Sequence, residues 1–76
     1  MSMSKVKYIK TMGNQIILFP QTLSHKDFAS FNPVSAGFAQ IYDEKIACFG
    51  DSFSLGLKSD PIDSELATRQ YFKIPW

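Results

Sequence analysis

The side chains able to do chemistry in this sequence are sparse and scattered. Gly50-Asp51-Ser52 follows the apolar run Ile46-Ala47-Cys48-Phe49 and puts the Ser52 hydroxyl after a strand. A hydroxyl becomes nucleophilic only when a positioned base takes its proton. His25 is the one histidine in the chain; it precedes Ser52 and falls in the first turn of a helical segment, where a solvated side chain is the simpler reading. Asp60 and Asp63 could be paired carboxylates, but a glycosidase-like pair needs a cleft, and helix capping accounts for both. Asp43-Glu44 reads as a solvated hairpin tip, because a divalent cation would need further oxygen ligands. Cys48 is the one cysteine, so no internal disulfide and no four-ligand Cys/His zinc site can form. In its apolar setting it reads as a small buried hydrophobe. No catalytic residue, metal or cofactor is expected.

The stretch Ile46-Ala47-Cys48-Phe49-Gly50-Asp51-Ser52-Phe53-Ser54-Leu55-Gly56 resembles the first block of the GDSL/SGNH hydrolases. That resemblance implies Ser52 as the nucleophile of an ester hydrolase, its own backbone N–H in the oxyanion hole, and a doubly wound α/β fold. The family's later Gly and Asn oxyanion blocks and its Asp-x-x-His have no counterpart, and its fold needs far more chain. A strand ending in a Gly-Asp-Ser turn accounts for the same residues: Gly bends the backbone, and Asp and Ser satisfy local N–H groups. The Ser52 hydrolase stands as a remote alternative.

Short elements must position these groups. Lys5–Thr11 is β-prone, Gly13-Asn14 supplies a turn in which Gly13 can take positive φ, and Gln15–Phe19 returns, giving a hairpin. Ser24 and Asp27 have capping-box spacing, Leu23 and Phe28 that of a hydrophobic staple, and Asn32-Pro33 ends this short helix. Val34–Tyr42 is a longer strand with Ala36, Phe38 and Tyr42 on one face. Ser35, Gly37, Ala39 and Ile41 form the other, small enough for a helix to approach. Asp43-Glu44 turns into a strand over Lys45–Phe49. Phe53, Leu55 and Leu57 then alternate as a last short strand, or as a loop plugged into the core. Asp60 is the expected N-cap of a final helix with Pro61 at its first position. Asp63 and Glu65 suit the positive end of its dipole, Arg69 and Lys73 the negative end, and Ile62 and Leu66 make its inward stripe. The order ββαββ(β)α predicts an α+β fold, a small antiparallel sheet of four to five strands with two helices on one face. Residues 1–76 form one domain, with 1–4 and 73–76 as tails.

A chain of 76 residues buries only about 60% of its unfolded surface, so its margin of stability is thin. Seven Phe, three Tyr and one Trp compensate, since a few buried rings can anchor a small core. A net charge of +1 provides no global field to steer nucleic acid or acidic lipid. No run approaches the ~18 apolar residues of a membrane span. Met1–Lys5 lacks a signal-peptide core, so a cytoplasmic location is expected. Nucleic-acid binding by the Lys5–Lys10 strand is an alternative; lysines on an early strand also protect a sheet edge from pairing.

Ser35-Ala36-Gly37-Phe38, Cys48-Phe49-Gly50, Ser54-Leu55-Gly56-Leu57-Lys58-Ser59 and Pro61-x-Asp63-x-x-Leu66 together resemble a group of short uncharacterised proteins of bacteria, phages and mobile elements. The resemblance spans about two thirds of the chain and carries no activity or site. It implies a bacterial or phage accessory protein. The expected function is therefore non-enzymatic, through a protein partner or a homodimer. Phe53, Tyr71 and Trp76 are candidates for an exposed apolar patch, with Lys58 and Arg69 at its rim.

Overall fold

The computed structural model describes residues 4–72. Trp76 and the expected tail 73–76 lie outside them, as do residues 1–3 of the expected N-terminal tail; Ser4, its fourth residue, instead begins β1 (Ser4–Thr11). β1 and β2 (Ile16–Phe19) form the hairpin in the register Lys7↔Phe19 to Lys10↔Ile16. Its left-handed position is Asn14 (φ 64°), not Gly13. Asparagine's short polar side chain makes that region tolerable.

A 3-10 helix follows at His25–Phe31 with both arms of the capping box formed: Lys26 N donates to Ser24 Oγ (3.2 Å) and Ser24 N to Asp27 Oδ2 (3.1 Å). β3 (Pro33–Tyr42) pairs with β1 and with β4 (Lys45–Phe49). Asp43 (φ 46°) and Glu44 (φ 61°) are both left-handed, as a two-residue hairpin of matching twist requires. β5 (Asp51–Ser52) and β6 (Leu57–Lys58) form a separate two-stranded ribbon. α1 (Asp63–Phe72) closes the described chain. No helix among the described residues is long and apolar enough to cross a membrane.

The main sheet is four-stranded and antiparallel in the order β2-β1-β3-β4. β1 is therefore an inner strand, and its lysines guard no edge; β3 takes the side that β2 leaves open. Strand alternation sorts the core into two layers. Tyr8, Ile16, Ala39 and Ile46 point to one face and bury Ala67 of α1, with Leu66 and Phe72 packed alongside. Ile9, Phe19 and Ala36 point to the other and pack Phe28 of the 3-10 helix together with Leu55 and Leu57. The α+β class and element order are as expected, but the two helices lie on opposite faces. The cause is local: Phe28 stacks on Phe19 (centroids 4.0 Å apart), and Phe19 points away from α1. The small-residue face of β3 does receive a helix, as its composition predicts. At Gly37 a Cβ would strike the Phe49 carbonyl, so only glycine admits that close passage of β4.

Two expectations about inward side chains need correction. Ile62 is half exposed, whereas Leu66 packs against the core as expected, and the buried residues of α1 are Asp63, Ala67 and Thr68. His25 is buried rather than solvated: its Nε2 donates to the Gly37 carbonyl (2.8 Å), and its ring meets Phe19 and Phe38 edge-on. A 3-10 first turn laid flat on the sheet points that residue inward.

Candidate functional site

The densest group of polar side chains lies beneath α1. Asp63 is 0% exposed. Its Oδ2 accepts from Tyr8 OH (2.5 Å), Ser35 Oγ (2.7 Å) and Asp60 N (3.0 Å). Lys10 Nζ lies 2.8 Å from Oδ1 and 3.8 Å from an Asp60 oxygen. Tyr8, Lys10 and Ser35 sit on the helix-facing side of adjacent strands, and the first turn of α1 drops Asp63 between them. Burial pushes the Asp63 carboxyl up, but Lys10, Ser35, Tyr8 and the Asp60 amide outweigh it and hold it below its ordinary value. Burial, then the adjoining Asp63 carboxylate, raises the Tyr8 hydroxyl far above its ordinary value. An acid–base catalyst works best with a pKa near the working pH. Here the carboxylate stays charged and the phenol stays neutral, an arrangement suited to joining the first strand to the last helix.

The Gly-Asp-Ser turn is equally committed to structure. Gly50 takes φ 77°, and Ser52 is buried with its Oγ accepting from Leu55 N (3.3 Å) and 3.5 Å from Ser54 Oγ. The Nε2 of His25 serves Gly37. Cys48 is part-buried, and its thiol is pushed up to about 12 by burial and by the charge of Asp63, against a hydrogen bond with Ser64. Among the described residues no group of three or more His, Cys, Asp or Glu is placed to hold a metal ion.

α1 also closes the outer rows of the sheet. In β4 the residues that do not bond to β3 are Ile46 and Cys48. Ile46 N donates to Thr68 Oγ1 (2.9 Å) and Cys48 N to Ser64 Oγ (2.8 Å). Hydroxyls one helical turn apart match amides two strand residues apart, since one α-helical turn rises about 5.4 Å and two strand residues about 6.8 Å. On the opposite edge Ile16 N donates to Gln70 Oε1 (2.9 Å), and Tyr71 OH donates to Ile16 O (2.6 Å).

The residues expected to form one patch are divided. Phe53 is 100% exposed at the tip of the β5–β6 ribbon, as a surface patch would have it and unlike Leu55 and Leu57, with which a loop plugged into the core would have placed it inward. The four residues between the strands form a turn, so alternation does not apply. Lys58 is exposed in β6, and with Phe53, Asp51, Ser52, Gly56 and Leu57 it lines a depression of about 280 Å³. Arg69 and Tyr71 lie on α1, which packs on the other face of the sheet. Arg69 is 3.6 Å from Glu65, and Tyr71 anchors β2. The lysines of β1 are also divided: Lys10 is buried on Asp63, Lys7 Nζ donates to Leu23 O (2.7 Å), and Lys5 Nζ lies over the Phe38 and Phe49 rings at 5.0 and 5.8 Å. Sequence reasoning missed the Lys10–Asp63 pair; the only local trace was an acidic residue three positions after another that already caps the helix.

Comparison with family models, curated proteins and solved structures gives no match to this chain.

Proposed function

We propose that this chain is a non-enzymatic accessory protein of the cytoplasm that engages a protein partner, including a second copy of itself, through the Phe53 turn. The observation carrying this is that Phe53 is 100% exposed while Leu55 and Leu57 of the same ribbon are packed on the sheet. Leaving a phenylalanine in water forgoes roughly 1.5–3 kcal/mol that burial would supply, and a partner's pocket recovers it. The support is preformed: Gly56 N donates to Ser52 O (2.9 Å), and Ser52 Oγ backs Leu55 N. Little ordering cost then remains for binding. Aromatic anchors dominate interface energies, and Lys58 stands at the rim of this one. The structural employment of Ser52, His25 and Asp63 supports a non-catalytic role, and the resemblance to short bacterial and phage proteins fits an accessory one.

Sedimentation from micromolar to near-millimolar concentration, with parallel capture on immobilised protein, tests this. Phe53→Ser leaves the melting temperature in place and abolishes both self-association and any specific capture. Association or capture unchanged by Phe53→Ser and by Lys58→Glu would refute it.

A further inference from the structure

The strands of the main sheet carry four lysines, Lys5, Lys7, Lys10 and Lys45, and no Asp or Glu. The register puts three of them on the face away from α1: Lys7 beside Phe38 and Phe49, Lys5 beside Gln40 and Ala47, and Lys45 beside Tyr42. The 3-10 helix and the β5–β6 ribbon cover the part of this face around Ile9, Phe19 and Ala36. Phe38, Tyr42 and Phe49 belong to neither packed cluster, and Phe49 and Tyr42 are 38% and 39% exposed. Phe38 and Phe49 are stacked, with centroids 6.1 Å and planes 27° apart. Lys5 Nζ rests over both rings. The nearest acidic side chains in sequence, Asp43, Glu44 and Asp51, lie in the turn and the ribbon that bracket β4.

We propose that this half of the sheet binds single-stranded nucleic acid. Aromatic rings beside lysine ammoniums, on strands that carry no acidic side chain, complement unpaired bases joined by phosphates. A base stacking on Phe38 and Phe49 takes the position held by the Lys5 ammonium, which then turns outward to the adjoining phosphate; Lys45 meets the next one beside Tyr42. A duplex offers no free base face to the rings, because its bases are stacked and paired. The surface is distinct from the Phe53 turn, so the two proposals fail independently.

Fluorescence anisotropy with a short end-labelled oligo(dT) decides it. Binding is expected at low salt. Two phosphate contacts give a slope of about −1.4 in log K against log salt, so a fourfold rise in salt weakens binding roughly sevenfold. Phe49→Ala weakens it at least about fivefold, the lower bound for one lost stacking partner. Phe49→Tyr restores it, Lys5→Gln lowers the slope by about half, and Phe53→Ser changes nothing. Circular dichroism confirms that each variant is folded. No binding at low salt, equal affinity for the duplex, or indifference to both Phe49→Ala and Lys5→Gln overturns the proposal. A dimer that dissociates on Phe49→Ala, with no oligonucleotide binding, would also overturn it and assign the strip to a second copy.

Discussion

Replacing Asp63 by alanine should lower the unfolding free energy by about 3–5 kcal/mol, the cost of removing one partner from a buried ion pair. The magnitude follows from what remains. Lys10 keeps an ammonium at 7% side-chain exposure, with Asp60 3.8 Å away as its residual counter-charge. The hydroxyls of Tyr8 and Ser35 and the amide of Asp60 lose their shared acceptor. A chain of this size has roughly 4–11 kcal/mol in total, so the variant sits near its unfolding threshold. Its melting temperature should fall by at least roughly 12 °C. Urea denaturation followed by circular dichroism measures the change, and adding Lys10→Met supplies the double-mutant cycle. The cycle should show coupling of at least about 1 kcal/mol, because the second change removes the stranded cation. The folded-state carboxyl titrates below its unfolded value of about 3.9. Its contribution is therefore fully present above about pH 4 and is lost as pH falls through the depressed folded value. Asp63→Asn should lack that part of the acid dependence. A loss under 1 kcal/mol, or strict additivity with Lys10→Met, would refute the reasoning.

Three further outcomes follow from other parts of the fold. Glu44→Gly relieves a left-handed non-glycine residue (φ 61°) and should stabilise the protein by about 1 kcal/mol after the extra chain entropy of glycine; an unchanged urea midpoint would argue against strain there. Thr68→Val leaves the Ile46 amide without its acceptor and should cost about 1–3 kcal/mol while raising concentration-dependent aggregation, seen by light scattering. Cys48, with its thiol pushed up to about 12, should be alkylated at pH 8 much more slowly than a free thiol until the protein is unfolded; modification of the native protein at the free-thiol rate would contradict that assignment.

What could be read from the sequence was local. The capping box of Ser24 and Asp27, the β1–β2 and β3–β4 hairpins and the small-residue face of β3 each rest on residues a few positions apart. Their physics is complete within that window. The site beneath α1 was not legible for the opposite reason. Lys10 alternates with apolar residues as a solvated strand lysine would, and Asp63 sits where a helix dipole welcomes any acid. Only the fold brings Lys10 and Asp63 together, beside the hydrogen bond between Tyr8 and Asp63, 55 positions apart, and turns them into a buried pair. The face chosen by the 3-10 helix was hidden in the same way, since its pattern of Leu23 and Phe28 specifies an apolar side but not which side of the sheet receives it. For Phe53 the sequence allows two readings side by side, an exposed patch and an inward plug with Leu55 and Leu57; residues 53–56 form a turn, where a period of two does not hold, and the ring is exposed.

The hydroxyls and amides that α1 lends to Ile46, Cys48 and Ile16 have a consequence for synthesis. All four strands leave the ribosome before the helix that seals their margins. During that interval the nascent sheet offers two raw borders to its neighbours on a polysome, and only the arrival of residues 63–72 ends the exposure. Chains halted just short of Asp63 should therefore stick to one another while full-length chains stay apart, and slow decoding at the start of the helix should lengthen the hazardous period.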